Sequence, residues 1–452
     1  MAELVTKVEG LIPGADRDTV ERRGAEEPEW LRNGRLRAWK VYEETPLPTT
    51  RLEEWRYTEV RQLALEQVRA ADATGAAPAA DPPADLPERA RRLVSRERLA
   101  AGRVLQVGAD IVSVELDPGM AERGVILTDL RTAAREHPEL VEPWLGRILT
   151  PEHGKFQALN AAMWSAGVFL YVPRGVHVPA PIRVGRWIGE GGVAVFPRTL
   201  IVAEEASQVA YVDEYASPDV DQPVFVCAGV EVVASDSAQV QHVGLQQWGA
   251  GVRHLSLQRT VAKRDAKLDT LVVNLGATVA RVDNAASLEG PGSRSDMLGL
   301  SFAQGDQHFD HNTRQDHVSD HASSDLLYKS ALYDKGRSVF RGIIKVFKGA
   351  QRTDAYQTNR NLLLSDKARA DSLPNLEIEA DDVRCSHGAT VGHLDEEELF
   401  YLMSRGLSRS EAERLVVFGF FGEVLERLSL PTVVEELRLA IEAKITGHQR
   451  HG

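Results

Sequence analysis

From Gly167 to Glu377 the chain is a succession of short β-branched runs with no helical segment of any length between them. Few architectures accommodate such a stretch. Segments such as GVFLYVPRGVHVPAPIRV, TLIVAEEASQVAYVDEY and VFVCAGVEVVASDSAQVQHVGLQQW read as strands of roughly four to seven residues. Small and polar turns separate them: Glu205-Ala206-Ser207-Gln208, Asp236-Ser237-Ala238-Gln239, Asp265-Ala266-Lys267, Lys335-Gly336-Arg337-Ser338, Gly349-Ala350-Gln351 and Lys367-Ala368-Arg369, at irregular spacing. Sandwiches and barrels rarely use so many strands in one domain. The hairpin dipeptides Asn-Gly and Asp-Gly are missing from the region, which weakens an antiparallel reading. Parallel pairing normally needs helical crossovers, and a solenoid escapes that need because each coil stacks on the last. The pattern therefore predicts a mainly β protein with a parallel β-helix core over residues 166–393.

Helical patterns flank this core. Residues 1–45 read as helical, with Trp30, Leu31, Leu36 and Trp39 at helical spacing. EEWRYTEV, Glu53–Val60, reads as an aromatic anchor onto the body. Residues 71–88 are rich in Ala, Pro and Asp and predict a flexible linker or exposed loop. Arg89–Leu99, Thr132–Leu149 and Lys155–Ser165 read as helices, and Val104–Leu116 and Val125–Leu127 as strands. Residues 1–165 thus form a mostly helical region with a few strands. After His393 helices return, over residues 394–452. Asp395-Glu396-Glu397-Glu398 opens the first, and Ser408-Arg409-Ser410-Glu411 is a capping box for the second. Pro431 suits the first turn of the third, which is expected to end near Ile445. The aromatic run VVFGFFGEVL in the second helix is either core or a docking surface.

Composition narrows the function. A net charge of −13, from 53 basic and 66 acidic residues, argues against nucleic acid or an anionic membrane as the main partner. No apolar run reaches the length of a membrane span. The N-terminus lacks the apolar core of a secretory signal. Two cysteines in 452 residues rule out a disulfide framework and fit a reducing cytoplasm. No G-x-x-x-x-G-K-[ST] motif is present, so the chain is not itself a P-loop ATPase.

Two clusters carry metal-binding side chains. Cys385 and His387 stand two apart, and on a strand such residues share a face. A thiolate beside an imidazole suits iron, zinc or an iron–sulfur cluster. Two ligands make an incomplete site, so the rest must come from elsewhere in the chain or from another subunit. A buried cysteine beside a hydrogen-bonded histidine remains the alternative. Cys227, in VFVCAGV, reads as a small buried hydrophobe. The second cluster, QHFDHNTRQDHVSDH, holds His308, His311, His317 and His321. It is better read as a solvated or hydrogen-bonded set on adjacent coils than as a metal site. His242 and His254 read as structural.

At Gln357–Ala412 the run QTNRNLLLSDKARADSLPNLEIEADDVRCSHGATVGHLDEEELFYLMSRGLSRSEA resembles the signature of the SufB/SufD family of the SUF iron–sulfur cluster assembly scaffold. EEWRYT at Glu53–Thr58, GVFLYVPRGV at Gly167–Val176 and SSDLLYKSAL support the likeness, which spans most of the chain. The C-S-H-G-A-T run follows the SufD-type pattern; SufB-type chains carry E-H-E-A-T there. The resemblance implies a right-handed parallel β-helix between an N-terminal helical region and a C-terminal helical domain. It implies a heterodimer with SufB and one copy of SufC, the ABC-type ATPase, on the C-terminal helices. The chain would then be a non-catalytic scaffold, with ATP hydrolysis in SufC. An iron–sulfur cluster would be held transiently and shared with SufB, His387 acting as a ligand and Cys385 as an auxiliary thiol or metal contact. The competing functions are the paralogous SufB-type scaffold, a β-helix carbohydrate-active enzyme and a stand-alone metal-binding protein. The second lacks an aromatic row for sugar stacking and an evident catalytic carboxylate pair.

Overall fold

The structure, a computed structural model, describes residues 11–451. The first ten residues of the expected N-terminal helical stretch lie outside the described residues. Beyond them, helices run over Arg17–Gly24 and Glu29–Glu44, the first capped by the Asp16 carboxylate on the Thr19 amide.

The core is a parallel solenoid built from two sheets, one of eleven strands and one of ten. Successive strands alternate between the sheets, so each strand pairs with the one two places further on. Val224 lies beside Val252, Val279 beside His308 and Arg337 beside Arg369, all parallel. From Gln208 onward the strands are longer than the apolar runs suggest, from 11 residues in Val224–Ala234 to 8 in Lys267–Asn274. Their inward positions are often polar, which breaks the apolar alternation by which a strand is recognised.

The small turns that lead from the eleven-stranded into the ten-stranded sheet stack into a continuous corner, and those at Lys335 and Lys367 lie on the opposite corner. Along that first corner Ala206, Ser237, Asp265, Gly292, His321 and Arg352 occupy the left-handed region. The amide of each bonds to the next corner: Ala206 to the Asp236 carbonyl, Ser237 to Arg264, Asp265 to Pro291, His321 to Gln351. Small and polar side chains are tolerated at such a φ, whereas β-branched ones are not.

At its N-terminal end the solenoid opens on antiparallel pairs. The expected strand Val104–Leu116 is a hairpin, Gly102–Val107 against Asp110–Leu116, turning at Gly108 with φ +56°. Gly102–Val107 in turn pairs parallel with Ile182–Trp187, joining the ten-stranded sheet. Residues 71–88 form an exposed loop that crosses this hairpin. The Ala79 amide bonds to Val112, and Asp110 accepts from the Thr74 amide. The expected helix Arg89–Leu99 is only Glu88–Arg92. The expected helix Thr132–Leu149 breaks into Leu130–Glu136 and Pro138–Val141, because Pro138 lacks the amide to continue the first and opens the second.

Helices cover both outer faces. On the eleven-stranded sheet, Phe156 and Trp164 of the N-terminal region pack with Phe196, Phe225, Leu255 and Leu257. On the ten-stranded sheet, the helices Arg409–Glu426 and Pro431–His451 bury Val417, Phe421, Leu437 and Ile441 against Leu245, Leu271 and Leu300. A side chain such as Phe421 contributes about 1.5–3 kcal/mol through that burial. A charged clamp fixes the same helices: Arg98 and Arg183 share Glu214 of the sheet and Glu436 of the last helix. No helix among the described residues is long and apolar enough to cross a membrane.

Candidate functional site

Cys385 and His387 sit on Arg384–His393, the last strand of the ten-stranded sheet. The register sets Ala355 beside Cys385 and Gln357 beside His387. Ala355 and Gln357 belong to the inward row of the preceding coil and are buried, so Cys385 and His387 share the inward side of the final coil. No later coil lies over them. The final strands of the two sheets, Arg369–Ile378 and Arg384–His393, are each paired on one edge only, and none of their residues is buried. The inward side is therefore the open end of the solenoid, where Ile378 and Val391 are exposed alongside.

Cys385 is half-buried, packed with Leu376 and Val383 against Ile344 and Val346. Burial pushes its thiol up from the ordinary value, and the nearby Asp354 carboxylate adds to the rise. His387 is exposed. Among the described residues no group of three or more His, Cys, Asp or Glu converges closely enough to hold a metal ion. The pair is thus two donors on one face of an unfinished edge.

Cys227 is far from this coil. It is fully buried on the outer row under Phe156, whose carbonyl accepts from its Sγ at 3.6 Å, and burial drives its thiol far up. The second histidine cluster is dispersed. His308, His311 and His317 lie on one strand, His308–His317, rather than on adjacent coils. His308 faces outward under the EEWRYT segment, with the Thr58 hydroxyl at 2.8 Å from Nε2. His311 points inward to Asn274 and Ser301, and His317 to Ser324. Burial pushes all three down to about 4. His321 is exposed beside Asp320 at 3.0 Å. The expected hydrogen-bonded set is thus seen for the buried three, and no metal site joins them.

The EEWRYT segment anchors as its aromatics suggest. The Arg281 guanidinium lies over Trp55, and Thr58 is fully buried. Beside it is a cleft of about 800 Å³ lined by Trp55, Lys155, Arg259, Arg281 and Arg314. Arg259, Arg281 and Arg314 already pair with Asp283, Asp310 and Asp316, and no residue of the final coil reaches it.

The aromatic second C-terminal helix is mainly core. Phe421 is buried and Phe418 and Phe420 are partly buried. The more exposed apolar surface is one helix earlier, on Glu396–Ser404, where Phe400 is 73% and Tyr401 57% exposed and Met403 is exposed too. Sequence reasoning did not find this surface, nor the Arg98–Glu436 clamp, whose partners are remote in the chain.

Comparison with known proteins gives tandem matches along the chain. Residues 95–184 match the SufBD protein N-terminal region, and residues 186–420 match the SUF system FeS cluster assembly, SufBD core domain. The iron-sulfur cluster assembly protein SufD of Bacillus subtilis (strain 168) is 32% identical over 93% of this chain and 95% of its own. The iron-sulfur cluster assembly protein SufB of the same organism is 27% identical, covering 94% and 92%. An iron-sulfur cluster assembly SufBD family protein of Staphylococcus epidermidis (strain ATCC 12228 / FDA PCI 1200) is 28% identical, covering 92% and 89%.

Proposed function

Because this chain belongs to the SufBD family of SUF iron–sulfur cluster assembly proteins, we propose that it is the SufD-type half of a two-subunit scaffold, non-catalytic in itself. The observation that carries the reading is the unfinished final coil. A solenoid needs a cap, and an unpaired strand edge is a template for another chain. Here both sheets end in such an edge, and Cys385 and His387 lie on the inward side of one of them. A SufB-type subunit set against this end supplies the missing cap and the missing ligands together. The cluster is cargo: iron and sulfide bind between the subunits, His387 donates an imidazole nitrogen, and Cys385 adds a thiolate after losing its proton. The exposed patch of Phe400, Tyr401 and Met403 supports docking of the SufC ATPase on the C-terminal helices, where ATP hydrolysis would take place. Two free cysteines fit work in the reducing cytoplasm.

The test is co-expression with SufB-type and SufC-type partners, followed by iron and sulfide loading. A stable complex that gains a brown chromophore is expected. His387→Ala should cut the cluster yield while leaving the complex assembled. An unchanged yield removes His387 from the mechanism, and a chain that purifies as a monomer sinks the scaffold reading.

A further inference from the structure

Down the inside of the solenoid, polar side chains stand in register where an apolar core is the norm. One column runs Gln246, Asn274, Ser301, Ser330 and Asn361 on five consecutive coils of the ten-stranded sheet. Across from it stand Gln258, Asn284 and Thr313 on the other sheet. Every one of these side chains is buried. Direct bonds join some of them to neighbours: His311 links Asn274 and Ser301, and Asn284 reaches Thr270 and Tyr328. Many polar atoms nevertheless have no protein partner. They include the Gln258 Nε2, Asn284 Oδ1, Thr313 Oγ1, Gln315 Oε1, Gln357 Oε1 and Asn361 Oδ1 atoms. Both ring nitrogens of the fully buried His242 are in the same position.

A buried polar atom without a partner costs about 1–3 kcal/mol, so a recurring column of them calls for a partner such as ordered water. Internal water satisfies such groups where a polar site has room for it and offers two to four partners. The columns have two ends. One is the final coil, where Gln357 lies beside His387 and Asn361 beside Val391. The other lies past His242 and Tyr211, where Tyr215 bonds to Asp213, Asp213 to Arg186, and Arg186 to Gln106. Gln106 donates to the carbonyl of Gly108 at the half-exposed hairpin turn. Cys227 is on the outer row and takes no part in these columns.

We propose that the lumen holds a file of bound water running from the Gly108 turn to the final coil beneath Cys385 and His387. When a partner covers that coil, the file keeps it in exchange with bulk solvent; this second role rests on the scaffold reading above. Met297 and Tyr328 are reporters, since both face the lumen and neither is more than 2% exposed.

The experiment is a short radiolytic hydroxyl-radical pulse in ¹⁸O-labelled water on the full chain, read by mass spectrometry. Heavy-oxygen label at Met297 and Tyr328 is expected, because radicals form on water held beside them. Label confined to exposed residues such as Tyr356, Tyr401 and Met403 overturns the file. In the complex with the SufB-type partner, Asn274→Leu should reduce label at Tyr328 several-fold, while the same substitution has little effect in the free chain with its open end. Equal label at Tyr328 in the two complexes, with and without N274L, overturns the exchange role. Failure of the chains to associate counts against the scaffold reading, and the free-chain pulse still decides the file.

Discussion

The strands Val224–Ala234 and Arg384–His393 belong to the same solenoid and pair in the same parallel manner, yet they have opposite fates. All eleven residues of the first are buried, and none of the ten in the second is. The first lies between neighbouring strands, under helices on one side and over the lumen on the other. The second has one neighbour and no cover. Local conformation therefore does not separate buried coils from exposed ones here; the number of neighbours does. The middle coils are completed by their own chain, and the last is left open by it.

This contrast is breakable by experiment. The largest effect is expected from acid. His242, His254, His308, His311 and His317 are held neutral by burial, His254 down to about 3 and the others to about 4. The unfolded chain takes up protons near the ordinary value of about 6.5. A base depressed in the folded state stabilises fully above that value and loses its contribution as pH falls towards the folded one. Each fully buried group then costs on the order of 3 kcal/mol at the acid limit. Glu214 and Glu231, raised by burial, act in the opposite direction. Stability measured by denaturant titration should fall steeply between pH 6.5 and 4, and His242→Phe should flatten that fall relative to the unaltered chain. A flat profile would show that burial does not hold these histidines neutral.

Next in size is Phe225→Ala in a middle strand, which removes a ring packed against Phe156 and Phe196. A loss of about 3–5 kcal/mol is expected from the shift in the unfolding midpoint. A smaller effect belongs to Ser408→Ala, which removes the capping box on Arg409–Glu426 and should cost about 1 kcal/mol. The smallest is His387→Ala. On the free chain it should change stability by less than about 0.5 kcal/mol, as for an ordinary surface position. A large loss there would make the final coil structural after all, and the contrast with the middle coils would fail.

Much of this organisation was legible in the sequence, for identifiable reasons. The corner residues stand out because a left-handed turn admits few side chains. Asp395 and Ser408 mark helix starts because their side chains bond the first free amides. The alternation argument placed Cys385 and His387 on one face, and the register agrees. What stayed hidden was long-range. HFDHNTRQDH, His308–His317, has no apolar alternation, yet it is a full strand of the middle solenoid. Its inward His311, Thr313 and Gln315 face a polar lumen, and its outward Asp310 is satisfied by Arg281 and Thr58. Both faces are buried by residues far away in the chain, so polarity there carried no sign of exposure. The VVFGFFGEVL helix shows the converse: its aromatic residues are mainly core, because the sheet they cover was not visible from local pattern.

Only Leu394 and Asp395 separate the end of the strand carrying Cys385 and His387 from the helix Glu396–Ser404 with its exposed Phe400 and Tyr401. Two residues span at most about 7 Å even when fully drawn out. Asp395 is also committed, because its carboxylate accepts from the amides of Glu397 and Glu398. The joint consequently has almost no slack. A pull on that helix would be delivered as tension along the last strand, which is gripped from one side only, so the helix would act as a short, stiff lever on the edge that carries Cys385 and His387.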